Sequence, residues 1–193
     1  MHSAAAGRPT FRALRLSTLV VVVAGFLLIP CKTALAQCTS LLRDGDFEAQ
    51  RSGYVSTPWK PEGRAGIDVR RGFSYSGANN AWARNIVGWN GIRQKVRLVA
   101  GNVYKLKAFV RTSGNVRAGY FGFRNASQRP LSEIKFGKLV TYRELRVSFR
   151  PTWTGTYYVF TGFWAPGQDA WIQIDNVRVE APCNDVVLNP APN

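Results

Sequence analysis

Residues 92–113, IRQKVRLVAGNVYKLKAFVRTS, decide the class of this fold. In the first half Ile92, Gln94, Val96 and Leu98 alternate with Arg93, Lys95 and Arg97. After Ala100-Gly101-Asn102 the period resumes, with Leu106, Ala108 and Val110 set against Lys105, Lys107, Phe109 and Arg111. Successive side chains of a strand point to opposite faces, so a period of two marks strands with one buried and one solvated face. Glycine and asparagine between two such runs mark a turn. The stretch predicts two half-buried strands.

The same signal extends outward. Leu145, Val147 and Phe149 alternate with Arg146, Ser148 and Arg150. The segments AGYFGFRN, TGTYYVFTGFWA and WIQIDNVRVE are β-branched and aromatic and read as further strands. Helical periodicity is scarce and no internal repeat appears. Eight to ten short strands in one domain predict an all-β fold, an antiparallel β-sandwich or jelly roll.

The first 36 residues read differently. Arg8, Arg12 and Arg15 precede the apolar run LVVVVAGFLLI, and Ala34-Leu35-Ala36 follows. That order is the charged, apolar and small-residue pattern of a secretory signal. The run is short for a transmembrane helix, which needs about 20 residues, so no transmembrane anchor is expected; an uncleaved anchor is the alternative. The expected organisation is a signal over residues 1–36, one β-sandwich domain over 37–183 and a Pro-rich flexible tail over 184–193. The expected location is extracellular, or periplasmic in a bacterial host. Cys38 and Cys183 then bracket the domain in an oxidising compartment and are expected to form a disulfide. Closing so long a loop would stabilise by about 5 kcal/mol. Lipidation of Cys38 within LAQC is the competing reading, although Gln37 fits poorly before a lipidated cysteine.

Charge and composition narrow the function. Lys and Arg number 26 against 11 Asp and Glu, a formal net charge of +15. The one histidine, His2, belongs to the expected signal, so the domain has no histidine base or ligand. That removes the usual nucleophilic triads and most catalytic zinc sites. Were the three cationic strands to share a sheet, its outer face would attract polyanions. Nucleic acid would answer the charge alone, but no recognised nucleic-acid motif accompanies it. Carboxylate pairs such as Glu133 with Glu144, or Glu62 with Asp68, have no spacing that demands glycosidase chemistry. No catalytic residues are expected.

The order of segments resembles the secreted carbohydrate-binding modules of family 4/9, the cenC type. The matching pieces are LLRDGDFEAQ (residues 41–50), Pro58-Trp59, RRGFSYSGANNAW, the 92–113 stretch, YRELRVSFRP and WIQIDNVRVE. The resemblance implies a galactose-binding-like jelly roll that binds a polysaccharide or glycan without altering it. It also implies a structural calcium held by Glu48 and Asp175, with backbone carbonyls from a turn like GFSYSG. Asp44 and Asp46 are expected as turn formers, since aspartate bonds its own backbone.

The six tryptophans supply candidate sugar platforms. Trp59 in STPWKPEG and Trp89 in VGWNGI sit among loop residues and are expected to present free rings. Trp82 and Trp164 stay open between core and surface, because their strands are apolar on both alternating sets, while Trp171, next to the apolar positions of the last strand, reads as core. The candidate carbohydrate-binding set is Trp59, Trp89, Arg93, Lys105 and Trp164. The expected ligand has acidic character, with a cell-envelope polymer or a partner enzyme as possible company. The rival reading is a structural or adhesive domain on the same fold.

Overall fold

The computed structural model describes residues 40–181. The expected signal, Cys38, Cys183 and the tail lie outside them. Ten strands follow in order: β1 (Trp59–Glu62), β2 (Ala65–Val69), β3 (Asn79–Asn85), β4 (Trp89–Leu98), β5 (Tyr104–Thr112), β6 (Gly119–Arg124), β7 (Pro130–Phe136), β8 (Arg143–Phe149), β9 (Gly155–Trp164) and β10 (Ala170–Glu180). They form two five-stranded sheets, β1-β4-β9-β6-β7 and β2-β3-β10-β5-β8. Every pairing is antiparallel. The fold is a β-sandwich. Among the described residues no helix is long and apolar enough to cross a membrane.

The alternations read from the sequence set the core. Ile92, Val96 and Leu98 of β4 and Leu106, Ala108 and Val110 of β5 are buried. They meet Phe121 and Phe123 of β6, Tyr157, Val159 and Phe163 of β9, and Ile172, Ile174, Val177 and Val179 of β10. Gln94, in phase with the apolar set, is also buried. Its side-chain amide accepts from the Arg43 N–H at 3.0 Å and donates to the Arg43 carbonyl at 2.9 Å. A buried amide satisfied at both ends costs little and fixes its partner.

That partner is the acidic segment 41–50, which closes the sandwich edge. Leu41 N–H donates to the Val179 carbonyl, Val177 N–H to the Gly45 carbonyl, and Leu42 and Phe47 enter the core. Asp44 accepts from Ala49 N–H at 2.9 Å and from Gln50 Nε2 at 2.6 Å, while Asp46 accepts from Glu48 N–H. Both aspartates form turns, as expected.

Three expectations are corrected here. The cationic strands do not share a sheet: β4 lies in one, β5 and β8 in the other, so the positive charge divides between two opposite faces. Trp59 is 1% exposed. Its indole N–H donates to the Asp44 carbonyl at 2.7 Å and its ring lies 5.3 Å from that of Phe47, so segment 41–50 covers it. Trp171 is partly exposed, because Ile172 and Ile174 take the inward positions of β10 and alternation turns Trp171 outward.

Gly77 shows how closely segment 41–50 is fitted. Its φ is +63°, and a Cβ there would come 2.4 Å from Oε1 of Glu48. A left-handed conformation costs an L residue roughly 1–2 kcal/mol. Gly77→Ala is therefore expected to lower stability by at least about 1–2 kcal/mol, read as a shift in the urea midpoint.

Candidate carbohydrate-binding face

The outer face of the β1-β4-β9-β6-β7 sheet gathers residues that are distant in sequence. Antiparallel register sets Trp89 opposite Trp164, Gly91 opposite Gly162, and Arg93 opposite Phe160. On the next strand Tyr120 lies opposite Gly162, Gly122 opposite Phe160, and Arg124 opposite Tyr158. Three glycines thus form a floor without side chains. A Cβ at Gly162 would approach Cζ2 of Trp89 to 2.6 Å, so the indole rests over that floor.

Aromatic rings and ions interlock around it. The Trp89 ring lies 5.9 Å from Trp164, 6.3 Å from Tyr120 and 6.1 Å from Phe160. The Arg124 guanidinium sits 3.5 Å above the Phe160 ring and 4.9 Å from that of Trp89, while Arg93 lies 5.1 Å above Tyr158. Glu62, at the end of β1, unites the group. It accepts from Trp89 Nε1 at 2.6 Å and from Arg124 at 3.0 Å, and stands 3.5 Å from Arg93 Nε. A carboxylate sharing an indole and two guanidinium groups holds each in one orientation. The Nε atoms of both arginines are buried without a hydrogen-bond partner among the described residues.

Flat rings beside fixed polar groups are what a sugar needs, because its C–H face stacks while its hydroxyls bond. Trp164, 54% exposed, offers the most open ring of this group. Of the predicted residues, Trp89, Trp164 and Arg93 come together here. Trp59 lies in the core. Lys105 is on β5 in the other sheet, opposite Glu180 and Ser148. The sequence reading missed Tyr120, Tyr158 and Arg124 as site residues, Phe160 as the buried ring beneath Arg124, and Glu62 as their organiser. The signal was in AGYFGFRN, where Tyr120 and Arg124 share the parity opposite to the core residues Phe121 and Phe123.

Glu48 and Asp175 are brought together at a sandwich edge. Glu48 Oε1 accepts from Ala78 and Asn79 N–H, both at 2.8 Å. Asp175 Oδ2 accepts from Tyr75 at 2.8 Å and Ser76 at 3.0 Å, and Oδ1 from Asn176. Burial pushes the Asp175 carboxyl up to about 6 against these hydrogen bonds, and the charge of Glu48 adds to the rise. Glu48 Oε2 makes no hydrogen bond among the described residues, and no group of three or more His, Cys, Asp or Glu clusters there. The backbone groups around both carboxylates are N–H donors, which are not metal ligands, so Glu48 Oε2 is the oxygen left open for a cation.

No family profile and no curated protein sequence matches the chain. Solved structures do resemble it. A family 61 carbohydrate-binding module in complex with β-1,4-galactotriose aligns at TM-score 0.57 and 15% identity, over 74% of this chain and 99% of that one. The CBM22-1 xylan-binding domain of Paenibacillus barcinonensis Xyn10C aligns at TM-score 0.54 and 14% identity, over 75% and 95%. An arabinose-bound GH51 α-L-arabinofuranosidase aligns at TM-score 0.59 and 17% identity, over 75% of this chain and 27% of that one. The chain thus spans about a quarter of the enzyme's length. At these identities the likeness is one of fold, that of carbohydrate-binding modules.

Proposed function

We propose that this chain is a secreted, non-catalytic polysaccharide-binding module of the family 4/9 type, and that its ligand has acidic character. One observation carries the reading: the cross-strand pair Trp89 and Trp164 beside a glycine floor, with Glu62, Arg93 and Arg124 fixed around it. The fold neighbours that bind galactotriose and xylan support the ligand class. The order of segments supports the family, and the net charge of +11 left after residues 1–36 (22 Lys and Arg against 11 Asp and Glu) supports acidic polymers. Glu62 is engaged by an indole and two guanidinium groups, which suits a positioning group better than a general acid.

Affinity electrophoresis on neutral and acidic polysaccharides tests this. Trp89→Ala and Trp164→Ala should each weaken binding about tenfold or more, on the order of 1.4 kcal/mol, while circular dichroism confirms the fold. Acidic polymers should bind better than neutral ones at low salt, with the difference shrinking as exposed charges are screened over about 8 Å at physiological ionic strength. Unchanged binding by both folded variants would favour the adhesive alternative.

We also propose that Glu48 and Asp175 hold a structural calcium ion, whose positive charge would offset their mutual repulsion. The support is that the charge of Glu48 acts on the buried Asp175 carboxyl and that both carboxylates meet the loop at residues 73–79. The bound ion would tie segment 41–50 to β10 and to the loop at residues 73–79.

A further inference from the structure

The opposite sheet carries a second concave feature. A cavity of about 590 Å³ opens on its outer face, walled by Trp82, Trp171, Phe73, Arg111, Asp68 and Gln173. Its volume falls in the range of small-molecule sites, roughly 300–1,000 Å³. Register explains the assembly. Gly66 of β2, Trp82 of β3, Gln173 of β10 and Arg111 of β5 lie in one row across the sheet. A Cβ at Gly66 would come 2.4 Å from Cζ2 of Trp82, so this indole also rests on a glycine.

Polar groups in the cavity are positioned from within. Gln173 donates to Asp68 Oδ2 at 2.9 Å and accepts from Arg111 Nε, with Asp68 and Gln173 only 9% and 8% exposed. The Arg111 guanidinium is also set by three rings, 5.0 Å from Tyr142, 5.8 Å from Phe73 and 5.9 Å from Trp171. Arg84, at the rim, is bound by Asp169. Arg64 and Arg71 also line the cavity, and the charge of Arg64 reaches Asp169 at the rim. Four guanidinium groups thus face one buried carboxylate and one rim carboxylate. The surplus is positive, and guanidinium groups recognise carboxylate and sulfate oxygens in pairs.

We propose that this cavity is a second saccharide site, specific for a sugar residue bearing a carboxylate or sulfate group. The indoles of Trp82 and Trp171 stack on the ring, Asp68 and Gln173 take its hydroxyls, and Arg111, Arg64 and Arg71 bind the anion. It lies on the sheet opposite Trp89 and shares with the proposed function only the class of ligand. Two faces would let one module cross-link two acidic chains, or grip one chain that wraps the domain.

Tri-galacturonic acid, a sulfated disaccharide and neutral galactotriose are titrated into the intact protein by calorimetry and by NMR of the indole N–H resonances. One or both acidic probes should shift Trp82 and Trp171, whether or not Trp89 and Trp164 also respond; the probe that does so tells carboxylate from sulfate. Arg64→Ala with Arg71→Ala should weaken that probe at least tenfold, as read at Trp82 and Trp171. Galactotriose should not move the Trp82 and Trp171 signals. Failure of both acidic probes at low salt, or shifts confined to Trp89 and Trp164, would overturn the second site. The latter result would leave the first site standing. The NMR measurement uses the unaltered protein, so misfolding of a variant cannot rescue the claim.

Discussion

Trp59→Ala is expected to lower the unfolding free energy by about 3–5 kcal/mol, the range for deleting a buried large aromatic. For a domain whose stability is roughly 5–15 kcal/mol, that is a large share. The side chain is 1% exposed, packs on Phe47 and bonds the Asp44 carbonyl. Its loss would open a cavity beneath segment 41–50 and leave that carbonyl with the longer 3.3 Å bond from Phe47 N–H. Trp59→Phe keeps most of the packing and loses the hydrogen bond, so it should cost only about 1–2 kcal/mol. Chemical denaturation of the two variants measures the difference. A Trp59→Ala protein as stable as the parent would mean that segment 41–50 does not cover the ring in solution.

The case of Trp59 marks where reading from sequence stops. STPWKPEG holds the residues of a loop, and the segment does start a short edge strand. What buries Trp59 is segment 41–50, which Gln94 holds from β4. No local pattern announces a contact of that range. The strands themselves were legible because half-burial writes a period of two into each, and the inward residues of β4, β5 and β8 match it. Their order across the sheets was not, since β4 pairs with β9 and β10 with β3 and β5. The candidate site was half legible for that reason. Trp89 and Arg93 lie on one strand, but only the β4–β9 register sets Trp164 beside Trp89. Trp171 stands next to the apolar positions Ile172 and Ile174 and so reads as core, but alternation puts it on the other face.

The second large effect should appear at Asp175. Its carboxyl is pushed up to about 6 in the folded protein, against an ordinary value of about 3.9 in the unfolded chain. Between those values the native state binds more protons than the unfolded state, so its stability must fall as pH rises from about 4 to 6 and then level off. At about 1.4 kcal/mol per pKa unit the loss is on the order of 2–3 kcal/mol. Asp169, held low by its hydrogen bonds to Arg84, acts in the opposite sense but below about pH 4, outside this window. Comparison with Asp175→Asn isolates the contribution: in chelator, the stability of the parent relative to this variant should decline across pH 4–6. Calcium at pH 7 should recover much of that loss in the parent, because a ligand that binds only the native state stabilises it. It should do little for Asp175→Asn, which lacks the second charge. Melting temperatures with chelator and with added calcium, for both proteins at pH 4 and 7, provide the measurement. A parent melt that calcium leaves unchanged after verified metal removal would sink the cation site, and would leave the backbone N–H groups of Tyr75, Ser76, Ala78 and Asn79 as the only partners of the two carboxylates on the loop at residues 73–79.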